Sequence, residues 1–157
     1  MQDATSHDVR PLLKSDALKA LEAYWRSKKH GDAFPTRRDI DPWEMRAFLD
    51  HVFLIAVTQN PMRFWFRSVG GGVSDNFGED MTGKYLDEMD LDKMQKEITD
   101  DYRRTVIEAR PVYARCEYVR GEDRRRMRYE RLLLPLSSDG ESVDMLLGGV
   151  LPIDSID

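Results

Sequence analysis

Two runs, VFLIAVT at 52–58 and MLLGGVLP at 145–152, leave no side for water. Successive side chains of a strand point to opposite faces, so a half-exposed strand alternates apolar with polar. These two do not alternate. Each must lie in the middle of a sheet that is covered on both faces. Between and beside them lie three further strand-like runs: RFWFRSV, VYARCEYVR and RRMRYERLLLPLS. QNPM, GED and SSDGES punctuate the runs as turns.

The rest of the pattern is helical. Ser15 precedes DALKALEAYWRSKKHG, where Leu18, Leu21, Tyr24 and Trp25 recur at helical spacing, and Gly31 stops the run. DIDPWEMRAFLDH reads as a second helix. Asp41 would cap it, Pro42 would open it, Glu44 would complete a capping box, and Trp43, Phe48 and Leu49 are its apolar residues. VSDNFG and MTGKYLDEM read as short helical pieces. A long helix is expected over 91–109, with Leu91, Met94, Ile98, Tyr102 and Val106 along one face. The order is helix, helix, β, β, short helices, long helix, β, β, β. Grouped strands give an α+β fold with an antiparallel sheet. The internal helices supply one cover. The N-terminal helices, or a partner subunit, supply the other.

The chain has 157 residues, enough for one domain with a real core. This divides into a flexible tail at 1–14, N-terminal helices at 15–50 and the main domain at 51–157. A net charge of -5 argues against a general nucleic-acid binder. One cysteine fits a reducing compartment. There is no signal peptide and no apolar run long enough to span a membrane, so the expected location is cytoplasmic.

The chemistry-bearing residues are few. GEDMTGKY at 78–85 falls one residue short of a P-loop: Tyr85 stands where a Ser or Thr should ligate magnesium, and Glu79 and Asp80 crowd the phosphate cradle. It reads as a glycine-punctuated link between short helices. Asp50-His51 is the one pair that could serve a small enzyme; otherwise His51 is structural. Asp90, Asp92, Asp100 and Asp101 read as a helix start and a solvated face. Arg120, Arg124, Arg125, Arg126, Arg128 and Arg131 crowd one hairpin, either as a solvated surface or as an anion site. Arg67 sits within an aromatic strand, and Glu130 shares a strand face with Leu132 and Leu134. Such charges need partners. They could pair with each other, or Arg67 could hold an anionic ligand.

The pieces YW, DIDPWEM, FRSVGG, FGEDMTGKYLDE, RPV, YERLLLPLSSDG and VDMLLGGV, in this order, resemble a family of small stand-alone PAS-like proteins of alphaproteobacteria. The pattern departs at Gly71, where a Thr is usual. The resemblance implies a PAS-like five-stranded antiparallel sheet, with short helices and one long helix on one face and two extra N-terminal helices. It implies a sensor that binds a small ligand or a partner protein and acts on a separate effector. It also implies a homodimer formed through the N-terminal helix. The alternative is a ligand-free scaffold for protein–protein interaction. Haem in such folds is ligated from the long helix, which here lacks histidine. Photoreactive flavin needs a cysteine in the helical region, whereas Cys116 falls on a strand and reads as a small apolar residue. Any other cofactor is left open. A pocket between sheet and helices would be walled by Phe66, Phe77, Met81, Tyr85, Met94, Ile98 and Tyr102, with Arg67 and Glu130 as polar contacts.

Overall fold

A computed structural model describes residues 8–89, 91, 94–119 and 124–153. Five antiparallel strands form one sheet: β1 (Val52–Thr58), β2 (Arg63–Val69), β3 (Val112–Val119), β4 (Arg126–Leu136) and β5 (Met145–Pro152). Their order is β2-β1-β5-β4-β3, so the two runs without a polar face stand side by side, with β5 at the centre. Among the described residues three α-helices pack around it: α1 (Asp16–Ser27), α2 (Gly71–Phe77) and α3 (Gln95–Ile107).

Each face of the sheet carries its own core. The inner layer, beneath α2 and α3, gathers Phe53, Ile55, Phe64, Phe66, Val73, Met81, Ile98, Tyr102, Tyr129, Leu133 and Leu146. The outer layer joins Leu54, Leu132, Leu134, Leu136 and Leu147 to Leu18, Leu21 and Trp25 of α1. The α1 helix is well specified locally: Ser15 Oγ accepts the Leu18 N–H at 3.1 Å, and Trp25 Nε1 donates to the Pro135 carbonyl at 2.9 Å. Burying each large apolar side chain of α1 contributes about 1.5–3 kcal/mol. The apolar stripe of α1 is therefore used within the chain.

Gly148 and Gly149 make these close contacts geometrically feasible. A Cβ on Gly148 would fall 2.3 Å from the Phe53 ring, and one on Gly149 would fall 2.6 Å from a Leu18 methyl. The central strand is thinned on both sides where its covers press hardest.

Three expectations change. The second N-terminal helix is instead a succession of 3-10 turns at Arg37–Asp39, Pro42–Met45 and Leu49–His51. Asp41 does cap, accepting the Trp43 N–H at 3.0 Å. Glu44 does not close a capping box, because it accepts the Tyr24 hydroxyl at 2.7 Å while that hydroxyl takes the Asp41 N–H at 2.8 Å. The capping box lies earlier, at Thr36 and Asp39. Ile40 and Met45, not Trp43 or Leu49, are the buried apolar residues of this stretch. The long helix is shorter than 91–109, running over Gln95–Ile107, although its predicted face does pack on the inner core. Finally, residues 8–14 do not form a loose tail: Val9 and Leu13 are buried in the outer layer. Residues 1–7 and Asp90, Asp92 and Arg120 lie outside the described residues.

Candidate functional site

The inner layer is apolar except around Arg131. Residues 127, 129, 131 and 133 of β4 share one face of the sheet. That face meets α3, so Arg131 enters the core between Tyr129 and Leu133. It is 2% exposed. Its Nη2 donates to Asp101 Oδ2 of α3 at 2.5 Å, and its guanidinium carbon lies 5.6 Å from the centre of the Tyr102 ring. Nε and Nη1 are buried with no hydrogen-bond partner among the described residues. A buried donor left unmade costs about 1–3 kcal/mol, and an arginine does not escape by losing its proton. The other oxygen of Asp101 accepts from Arg104 at 2.8 Å. One carboxylate thus serves two guanidinium groups.

The register sets what surrounds Arg131. Ala114 stands opposite it on β3, Val150 opposite it on β5, and Cys116 opposite Tyr129. The Phe77 ring meets Tyr129 edge-on, with centroids 5.6 Å apart. Burial pushes the Tyr102 and Tyr129 phenols well above their ordinary range, with Arg131 pulling the other way, so both are neutral at pH 7. The result is a buried guanidinium paired with the Asp101 carboxylate and otherwise surrounded by neutral polar and apolar groups, in a layer closed by aromatic packing. Phe53 lies 5.8 Å from Phe66 and 6.4 Å from Tyr102, centroid to centroid.

The predicted pocket walls largely converge. Phe66, Met81, Ile98 and Tyr102 are buried in the inner layer, with Phe77 and Met94 half-buried at its margin. Tyr85 departs from the expectation. It bridges to Trp65 on β2 and lies beneath the Arg63 guanidinium, 3.7 Å from the ring centre, while Arg63 pairs with Asp87 at 2.8 Å.

The suggested Arg67–Glu130 pair does not form. β2 is an edge strand, and β1 and β5 separate it from β4. At about 4.8 Å per strand step the gap is roughly 14 Å. Arg67 is the extra residue of a bulge, since Ile55 pairs with Phe66 and Leu54 with Ser68, and it is exposed. Glu130 faces the outer layer and is 2% exposed. It accepts the Ser15 N–H at 2.8 Å, the Lys14 N–H at 3.2 Å and the Tyr113 hydroxyl at 2.7 Å. Burial pushes its pKa up, but the Tyr113, Ser15 and Lys14 hydrogen bonds outweigh this, so the carboxyl titrates below its ordinary value. Glu130 fastens the start of α1 to the sheet and is turned away from the inner layer.

The sequence reading missed Arg131 as a core residue because it grouped all the hairpin arginines together. Arg124, Arg125, Arg126 and Arg128 are indeed exposed, and Arg126 approaches Glu117 of β3 at 3.3 Å. Arg131 differs through its place beside Leu132 and Leu133, where the strand is buried on both faces. Asp101, expected on a solvated face, is the partner that this position requires.

The other motifs resolve simply. In the near P-loop, Lys84 pairs with Glu79 at 2.9 Å and Asp80 takes the Thr82 N–H at 3.0 Å. The Gly83 N–H and the Lys84 carbonyl bond to Phe66 of β2. The segment closes the sheet edge and leaves no phosphate cradle. Asp50 lines a cavity of about 310 Å³ on the outer face, between the 3-10 turns and β1, with Arg37, Ile40, Met45 and Leu147. His51 is not in that lining. Its Nδ1 is buried beside Gly72, without a hydrogen-bond partner among the described residues. Among the described residues no group of three or more His, Cys, Asp and Glu could hold a metal.

A family model described as the PAS domain matches residues 13–151. The chain belongs to the PAS domain family. The match begins before α1, so the N-terminal cover is part of the domain. No curated protein is similar enough in sequence to match. This PAS domain is similar in fold to the PAS domain of a protein from Colwellia psychrerythraea (TM-score 0.53, 13% identity, covering 72% of this chain and 98% of that one). It is also similar to the Rhodobacter sphaeroides LOV protein (TM-score 0.53, 10% identity, 87% of this chain and 68% of that one). A third neighbour is the LOV domain of a blue-light activated histidine kinase from Erythrobacter litoralis (TM-score 0.52, 12% identity, 67% of this chain and 96% of that one). At these identities the likeness is one of fold. In this PAS domain Cys116 stands on β3 and α3 carries no histidine. These residues do not fit the thiol photochemistry or the haem ligation considered above.

Proposed function

We propose that this PAS domain is a sensor and signalling module that takes up a small molecule in its inner layer and acts on a separate effector protein. The observation that carries this reading is Arg131, a cation with two unpartnered nitrogens inside the layer between sheet and helices. A fold needing only stability would place an apolar residue there. The site offers binding groups and no set of acid, base and nucleophile, so the reading assigns it no reaction. It acts in the cytoplasm, and no helix among the described residues is long and apolar enough to cross a membrane. A metabolite screen read by the unfolding midpoint tests the ligand. The reading expects at least one small compound to raise the midpoint through inner-layer contacts; a screen without such a compound counts against it.

A second reading is a scaffold for protein–protein contact with a permanently filled core. The close packing of Phe53, Phe66 and Tyr102 favours it. Under this reading partner binding is unaffected by substitution of Arg131.

Self-association through the N-terminal region belongs to the proposal as well. Since α1 turns its apolar stripe inward, the contact would use the exposed Leu12, Trp43 and Leu49 of the flanking turns.

A further inference from the structure

We infer that the outer edge of β3 pairs with the same edge of a second copy, as two antiparallel strands related by a two-fold axis at Cys116. The inference goes beyond the sensor reading and does not depend on it. β3 ends the strand order, and no described segment pairs with its outer edge. The ladder fixes which residues face that edge. Residues of an antiparallel strand turn their N–H and C=O alternately to one neighbour and to the other. The Ile153 N–H donates to the Arg128 carbonyl at 2.8 Å, so Arg128 and every second residue of β4 turn toward β5. Tyr129 and Arg131 turn toward β3, and Cys116 and Ala114, opposite them, turn toward β4. Tyr113, Arg115, Glu117 and Val119 therefore aim their backbone groups outward.

Charge then selects the register. Outward-facing residues must meet outward-facing residues, so the axis falls on a residue and not between two. An axis at Arg115 sets two arginines face to face, and an axis at Glu117 sets two glutamates face to face, both unfavourable. An axis at Cys116 sets Arg115 opposite Glu117 of the second copy, twice, and uses the strand from 113 to 119. The match continues along the outer face. Within one copy Arg115 stands opposite Glu130, and Glu117 stands opposite Arg128, which it approaches at 3.7 Å. Across the joint the side chains run Glu130, Arg115, then Glu117 and Arg128 of the second copy, alternating in sign. Charges that only guard an edge need no such order.

The edge has room for a second strand. Arg115 and Glu117 are exposed, and Ala114 and Cys116 bring small side chains to the inner side of the joint. One strand a side is far less than the roughly 20–30 residues a side that a stable interface uses. The contact therefore forms at high concentration, and it is separate from the N-terminal contact.

The test is sedimentation velocity over a rising concentration series, on the full chain carrying W43E/L49K so that the N-terminal contact does not contribute. This chain should sediment as one copy when dilute and as two when concentrated. R115E and E117R each turn two attractive pairs into repulsive ones, and each should weaken the association at least about tenfold. An equimolar mixture of the two variants restores opposite charges at both pairs and should recover the parent association. Unfolding midpoints check that each variant is folded. Where one is not, E117P takes its place: it removes an outward N–H that the internal ladder does not use, and it should abolish the association. A chain that stays single at every concentration overturns the inference. So does an association unchanged by R115E and E117R, or by E117P, or a mixture no tighter than either variant alone. Each of these outcomes leaves the sensor reading standing.

Discussion

Glu130 and Arg131 are neighbours in sequence and opposites in role. Glu130 has its oxygens occupied by two backbone N–H groups and a phenol. Arg131 keeps two nitrogens without hydrogen-bond partners among the described residues. Their substitutions should therefore diverge. Replacing Glu130 with Gln removes a charged acceptor from buried donors, and chemical denaturation at pH 7 should show a loss of about 1.5–3 kcal/mol. Because the folded carboxyl titrates below its ordinary value of 4.5, its contribution is complete above that value. It should fade as pH falls through the lowered folded value. E130Q should lack this part of the acid slope, and a wild-type slope in the variant would refute the assignment. R131M should stay within about 1 kcal/mol of wild type, because Asp101 keeps Arg104 and an apolar side chain suits the layer. A loss above about 3 kcal/mol would mean that Arg131 is there for stability.

At the scale of elements, the packing of α1 against β5 decides how the outer face is covered. Gly149 lies directly beneath Leu18 and Leu21. Changing Gly149 to Val should destabilise the domain by about 1–3 kcal/mol or more through overpacking, measured as a lower unfolding midpoint. An unchanged midpoint would show that α1 is not seated there. The strands and α1 were legible in the sequence because hydrophobic period and Ser15 agreed. The stretch 37–51 was not, because the acceptor meant for its cap, Glu44, is claimed by Tyr24 from a different element. The same limit hid the site. Alternation puts Arg131 on a buried face, but only the crossing of α3 supplies Asp101, thirty positions earlier. The wall residues of α3 were readable from helical spacing, whereas Tyr85 was not, since its ring is held by an arginine of β2.

For the whole molecule, two covers over one sheet mean that self-association does not need the apolar stripe of α1. A chain trimmed to residue 32 would expose Leu132, Leu134 and Leu147, and should aggregate. Point changes are the cleaner probe. The double variant W43E/L49K should shift light scattering from dimer to monomer while leaving the unfolding midpoint within a few degrees. A dimer that persists would move the contact elsewhere.

The central claim is that the inner layer is a ligand site organised on Arg131. Native mass spectrometry of wild type and R131M, purified side by side from the same cells, tests it most directly. The account predicts an added small mass on wild type that is lost on mild activation and missing from a folded R131M. Bare chain masses for both proteins, or the same added mass on both, would contradict it.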